Sequence, residues 1–147
     1  MNIASLWKLP VLFAVEDNGY AQSTPKHLEH SGQLVDRGRP FGIPIVACDA
    51  RNSESLVWQA GSLIQEMRKS GGPAVFYMHT YRLAPHSKED DDRDCREIAS
   101  EAENQPLVRL GQRIPQAERK AIDRAVAGRV DQVVKAALAL PAFRRLP

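Results

Sequence analysis

At 147 residues, 43% hydrophobic and 26% charged, the chain is long enough for one compact core and has the make-up of a globular protein. Its formal charge of +2 is too small to argue for nucleic acid, and the basic excess is local: residues 106–147 hold nine Lys or Arg against three Asp or Glu, as a solvated helical face does. The first apolar run, Val11 to Val15, meets Glu16 and Asp17 too soon to cross a membrane, and no secretory pattern is visible. Cys48 and Cys95 lie far apart, with no Cys-x-x-Cys and no His at metal spacing, which speaks against zinc or a disulfide framework and for a reducing, cytoplasmic setting.

Ile3, Leu6 and Trp7 sit at helical spacing and read as the end of an amphipathic helix, stopped by Pro10. The run Val11 to Val15 predicts a strand buried on both faces, followed by a loop from Glu16 to Pro25. A helix over Leu28 to Arg39 is opposed by Gly32, Gly38 and Pro40. Ile43 to Ala47 predicts a second strand ending at Cys48 and Asp49. Asn52 or Ser53 can cap the next helix, whose stripe is Leu56, Val57, Ala60, Leu63, Ile64 and Met67, and Gly71, Gly72 and Pro73 stop it. Trp7 and Trp58 are expected in the core. Ala74 to Thr80 predicts a third buried strand, followed after Arg82 by a polar loop with an acidic run, Glu89 to Asp92. A long amphipathic helix from Ile122 to Leu138 closes the chain, at a cost of about 1 kcal/mol for Gly128. The alternation predicts an α/β fold, a parallel sheet with flanking helices, plus a C-terminal helical extension. The domains are expected at 1–105 and 106–147.

Ligands of an open parallel sheet bind beyond the carboxyl ends of its strands. Two polar segments fall there: Glu16 to Tyr20 after strand one, and Tyr81 to Ser87 after strand three. An amide oxygen and turn carbonyls suit magnesium, which shares its shell with phosphate oxygens, and Arg82 and His86 could meet a diphosphate. Taken singly these features are ordinary: Asx-Gly after a strand is a common turn, and a loop His is commonly a surface residue. Physical reading alone stops at an α/β domain with a phosphate site.

The stretch from Asn2 to Phe13, with Glu16-Asp17-Asn18-Gly19-Tyr20-Ala21 and Ser23-Thr24-Pro25, resembles the second half of the thiamine-diphosphate motif of the alpha subunits of 2-oxo acid dehydrogenases. Thr80-Tyr81-Arg82-Leu83 and His86-Ser87, with Asp90-Asp91 and Arg96, are similar to that family's mobile active-site loop. The resemblance implies a partial thiamine-diphosphate-binding fold and oxidative decarboxylation of a 2-oxo acid with acyl transfer to a lipoyl group. It implies thiamine diphosphate and magnesium as cofactors, with a beta subunit and the lipoyl domain of an acyltransferase as partners. By that resemblance the Asn18 side chain and the Tyr20 backbone carbonyl hold magnesium. Arg82, His86 and Ser87 join them at the cofactor, His86 assists acyl transfer, and Arg82 pairs with Asp90 to order the loop. The motif opens with Gly-Asp-Gly, which this sequence does not contain, so a further alpha-subunit half carrying it is expected upstream. The wording around Tyr20 looks more like branched-chain members than pyruvate members, with acetoin-type relatives also open.

The sequence departs from the family at four places. Asp17 stands where the closing Asn-Asn pair begins, adding a negative charge beside a diphosphate. Asp49-Ala50-Arg51-Asn52 replaces Asp-Gly-Asn-Asp, Cys95-Arg96 replaces Tyr-Arg, and Gly38 and Pro40 replace helix formers. Two alternatives stand beside the enzyme reading: a catalytically inactive remnant acting in subunit assembly, and an unrelated phosphate-binding α/β domain.

Overall fold

A computed structural model describes residues 1–88 and 90–141; Glu89, part of the acidic run, lies outside the described residues. The chain divides into two units, Met1–Arg109 and a second beginning at Leu110. The first unit contains a three-stranded parallel sheet: β1 (Leu12–Asp17), β4 (Ile45–Asp49) and β5 (Ala74–His79), in the order β1-β5-β4. A two-stranded ribbon, β2 (Tyr20–Ala21) with β3 (Thr24–Pro25), follows β1. The helices of this unit are α1 (Asn2–Leu6), α2 (Lys26–Glu29), α3 (Ser53–Ser70) and α4 (Cys95–Glu103). A further helix, α5 (Pro106–Gly111), runs across the boundary. The second unit holds α6 (Gln116–Leu138). Among the described residues no helix is long and apolar enough to cross a membrane.

The fold is the parallel α/β arrangement that the alternation implies, and its core sits on both faces of β5. Ala74, Val75, Phe76 and Tyr77 are all at most 3% exposed. On one face Ala74 and Phe76 pack with Cys48 of β4 and with Leu63 and Met67 of α3; on the other Val75 and Tyr77 pack with Ile43. The β-α-β crossover through α3 is what lets β4 and β5 run parallel. Asn52 caps α3 by accepting the Ser55 N–H at 3.1 Å, and Gly71 ends the helix with a positive φ of 68° that side chains rarely adopt.

Several expectations are corrected. β1 is an edge strand with Ala14 and Glu16 exposed rather than a strand buried on both faces, because it pairs with β5 alone among the described residues. Trp7 and Trp58 are 67% and 71% exposed rather than core: Trp7 lies just past α1, and Trp58 and Val57 occupy the side of α3 turned away from Leu63 and Met67. The helix expected from Leu28 to Arg39 is instead the short α2 and a 3-10 helix, Leu34–Phe41. Gly38 lets that segment lie close to the sheet: a Cβ would stand 3.1 Å from a Val75 methyl and 3.3 Å from the Ile45 side chain, tighter than most such contacts. The stretch read as loop after Arg82 contains α4, which Asp94 caps through the Arg96 N–H at 2.8 Å, and is followed by α5.

Candidate functional site

The registers align the three strand ends. Asp17 lies opposite His79, and Asp49 lies opposite the same His79. The loops leaving β1, β4 and β5 therefore start level with one another at the carboxyl edge, where open α/β sheets bind ligands. A pocket of about 380 Å³ opens there. The Asp17–Tyr20 turn and Lys26 form one wall, Arg51 another, and Thr80, Tyr81 and two carboxylates of α4, Glu97 and Glu101, the remainder.

The first wall is held by its own side chains. Asp17, 7% exposed, accepts the Gly19 N–H at 3.0 Å through Oδ1, and its Oδ2 receives both the Lys26 ammonium and the Tyr77 hydroxyl. Burial works against this charge, but the Lys26, Tyr77 and Gly19 hydrogen bonds outweigh it and hold the carboxyl below its ordinary value. Burial, then the bond to Asp17, pushes the Tyr77 phenol upward, so it stays a donor. The negative charge that Asp17 adds is thus spent inside the fold on Lys26. Asn18 Oδ1 accepts the Tyr20 N–H at 3.0 Å, an Asx turn, and Gly19, at φ 79°, permits it.

The second wall is aromatic and acidic. The Tyr20 hydroxyl donates to Glu97 at 2.8 Å, as does that of Tyr81. Burial, and next the Glu97 carboxylate, raises both phenols, that of Tyr81 to about 12. Arg51 grips Asp49 with Nε at 2.9 Å and Nη2 at 2.8 Å and reaches Glu101 at 3.3 Å, tying β4 to α4. The hydrogen bond from Arg51 is the main cause that holds the Asp49 carboxyl low.

The structure brings Asn18 and Tyr20 together in the pocket; Arg82, His86 and Ser87 do not line it. Arg82 Nη2 donates to the Gln22 carbonyl at 2.6 Å, and its Nε is a buried donor with no acceptor. His86 and Ser87 are exposed, the Ser87 N–H donating to Asp90 at 2.8 Å. The expected Arg82–Asp90 ion pair is absent, because Arg82 is drawn to Gln22 and Asp90 is engaged by the Ser87 backbone. Its place is taken by Arg93, whose Nε and Nη2 each meet an Asp91 oxygen at 2.6 Å.

Five residues of consequence escape a reading by sequence: Lys26, Arg51, Arg93, Glu97 and Glu101. Lys26 and Arg93 carry no motif. Arg51 is visible only as a departure from one, and the two glutamates become legible only once Asp94 is read as a helix cap. The pocket sets Lys26 and Arg51 against the carboxylates of Asp17, Glu97 and Glu101, a slightly negative balance. A diphosphate would need a divalent cation and further donors to settle in it. The donors of the type magnesium prefers are neutral hard oxygens, the Asn18 amide and the Tyr20 carbonyl, since Asp17 is already committed to Lys26 and Tyr77.

The profile of the dehydrogenase E1 component family matches residues 1–143, and the chain belongs to that family. It is 34% identical to the alpha subunit of acetoin:2,6-dichlorophenolindophenol oxidoreductase from Cupriavidus necator, over 96% of this chain and 45% of that protein. It is 30% identical to the pyruvate dehydrogenase E1 component subunit alpha of Zymomonas mobilis, over 89% of this chain and 40% of the relative. With the 2-oxoisovalerate dehydrogenase subunit alpha of Bacillus subtilis the identity is 35%, over 73% of this chain and 34% of the relative. The chain spans less than half the length of these relatives.

Proposed function

We propose that this chain supplies one part of the thiamine-diphosphate and magnesium site of a 2-oxo acid dehydrogenase alpha subunit, an oxidoreductase that passes the acyl group to a lipoyl group. The observation that carries this reading is the Asn18–Tyr20 corner, which faces a pocket at the level ends of three parallel strands. In this reading the Asn18 amide oxygen and the Tyr20 carbonyl are two neutral donors to magnesium. Lys26 neutralises Asp17, so the charge beside Asn18 is offset inside the fold, and the cation is left to balance Glu97 and Glu101. Thiamine diphosphate held at this corner would supply carbanion-stabilising chemistry to the oxo acid. His86 and Ser87 are exposed, and in this reading they meet the lipoyl domain of the acyltransferase from solvent.

In this reading a segment bearing Gly-Asp-Gly and a beta subunit complete the site. The test is calorimetry of the chain reconstituted with both, titrated with magnesium and thiamine diphosphate. Asn18→Ala should raise both apparent dissociation constants by about tenfold or more. Unchanged titrations overturn the magnesium assignment, and an assembled complex that binds no cofactor favours the inactive assembly role instead.

A further inference from the structure

Arg93 is a charge that the family's loop pattern does not explain. Its side chain is 3% exposed, and Asp91 meets it in a two-pronged pair at 2.6 Å. The remaining donors go to backbone: Nη1 to the Arg82 carbonyl, and Nη2 to the Leu83 and Ala84 carbonyls at 3.3 and 3.2 Å. The flat guanidinium also lies 5.5 Å from the Tyr20 ring centre and 5.2 Å from that of Tyr81. Both tyrosines are pinned by Glu97, so the cation rests on a fixed aromatic surface belonging to the pocket wall. Only a planar donor fork can serve a carboxylate and three successive carbonyls at once; a Lys ammonium has three donors and no such geometry.

We infer that Arg93 is a positioning residue, which clamps the backbone of Arg82, Leu83 and Ala84 onto the Tyr20–Tyr81 wall before any ligand arrives. A segment already ordered does not subtract its ordering entropy from binding, so the clamp raises apparent affinity without touching the ligand. Cys95, where the family has Tyr ahead of its Arg, would then be tolerated because Arg93 performs the holding from two residues earlier. The bearing on catalysis rests on the function proposed above; the clamp itself does not, since it is measured on the ligand-free chain.

The experiment is limited trypsin digestion of the full chain followed by mass spectrometry, which reads cleavage of the Arg82–Leu83 bond against cleavage after Arg68 and Lys69 at the end of α3. Trypsin acts on the transiently opened segment, so the rate reports how often the clamp lets go. Arg93→Ala should speed cleavage after Arg82 by about tenfold or more and leave the α3 sites unchanged. Arg93→Lys, which keeps the charge and the ring contact but not the fork, should fall between. An unchanged rate in Arg93→Ala, an equal rise at the α3 sites, or Arg93→Lys matching the parent would each overturn the inference. Should Arg93→Ala not fold, Asp91→Asn decides: cleavage faster than in the parent supports the clamp, and cleavage at the parent rate refutes it. Failure here leaves the Asn18 titration standing, and the reverse also holds.

Discussion

Two helices of this chain carry apolar stripes and meet opposite fates. In α3, Leu63 and Met67 are 7% and 8% exposed, packed with Phe76 and Cys48 of the sheet. In α6, Ile122, Val126, Val130, Val133 and Val134 are 45–55% exposed and Leu138 is 81% exposed. Periodicity states which side of a helix is apolar; it does not state that anything covers it. The stripe of α3 is covered because the helix is the crossover between two adjacent parallel strands, so its connections bring it down on the sheet.

That contrast can be broken. The largest effect is expected from Leu63→Ala, which removes buried apolar volume under the sheet and should cost about 2–5 kcal/mol in urea denaturation. A cost below about 1 kcal/mol would mean that α3 is held as loosely as α6.

Next comes the buried carboxylate at the site end of the sheet. Asp17→Ala should cost about 2–3 kcal/mol, because the Tyr77 hydroxyl is left buried without an acceptor and the Lys26 ammonium loses its partner. The same group fixes the direction of the acid response. The carboxyls of Asp17, Asp49 and Asp91 are all held below the ordinary 3.8, so their contribution is complete above that value and is lost as pH falls through the folded-state values. Unfolding free energy should be level above about pH 5 and drop below about pH 4, with a shallower drop in Asp17→Ala. A parent whose stability is flat down to about pH 2 would contradict the pairing.

The smallest effect sharpens the contrast from the other side. Val130→Ala, at a 53% exposed position, should change stability by no more than about 0.5 kcal/mol. A loss approaching that of Leu63→Ala would show that the α6 stripe is covered in the free chain, by a second copy or otherwise.

How much was legible in advance follows the same line. The turn Asp17-Asn18-Gly19-Tyr20, the Asn52 cap and the glycine stop at Gly71 are local, each settled within a few residues by backbone hydrogen bonds and permitted φ, and each reads directly from the sequence. So do the apolar runs that become β1, β4 and β5. The charge partners of the loop after Arg82 do not read from the sequence, because electrostatic partners are a matter of distance in space. Arg82 and Asp90 look like a pair on paper, while Arg82 goes to Gln22, 60 residues earlier, and Tyr20 goes to Glu97, 77 residues later.

By itself, then, the sequence determined the parallel α/β plan, the corner at Asn18 and the family to which the chain belongs, since all three rest on short-range pattern. Tertiary structure alone decided that Lys26 neutralises Asp17, that Arg93 pairs with Asp91 and that His86 stands exposed. Each of these depends on which ends the sheet brings level, and a charge or an apolar side chain takes the partner that geometry leaves within reach.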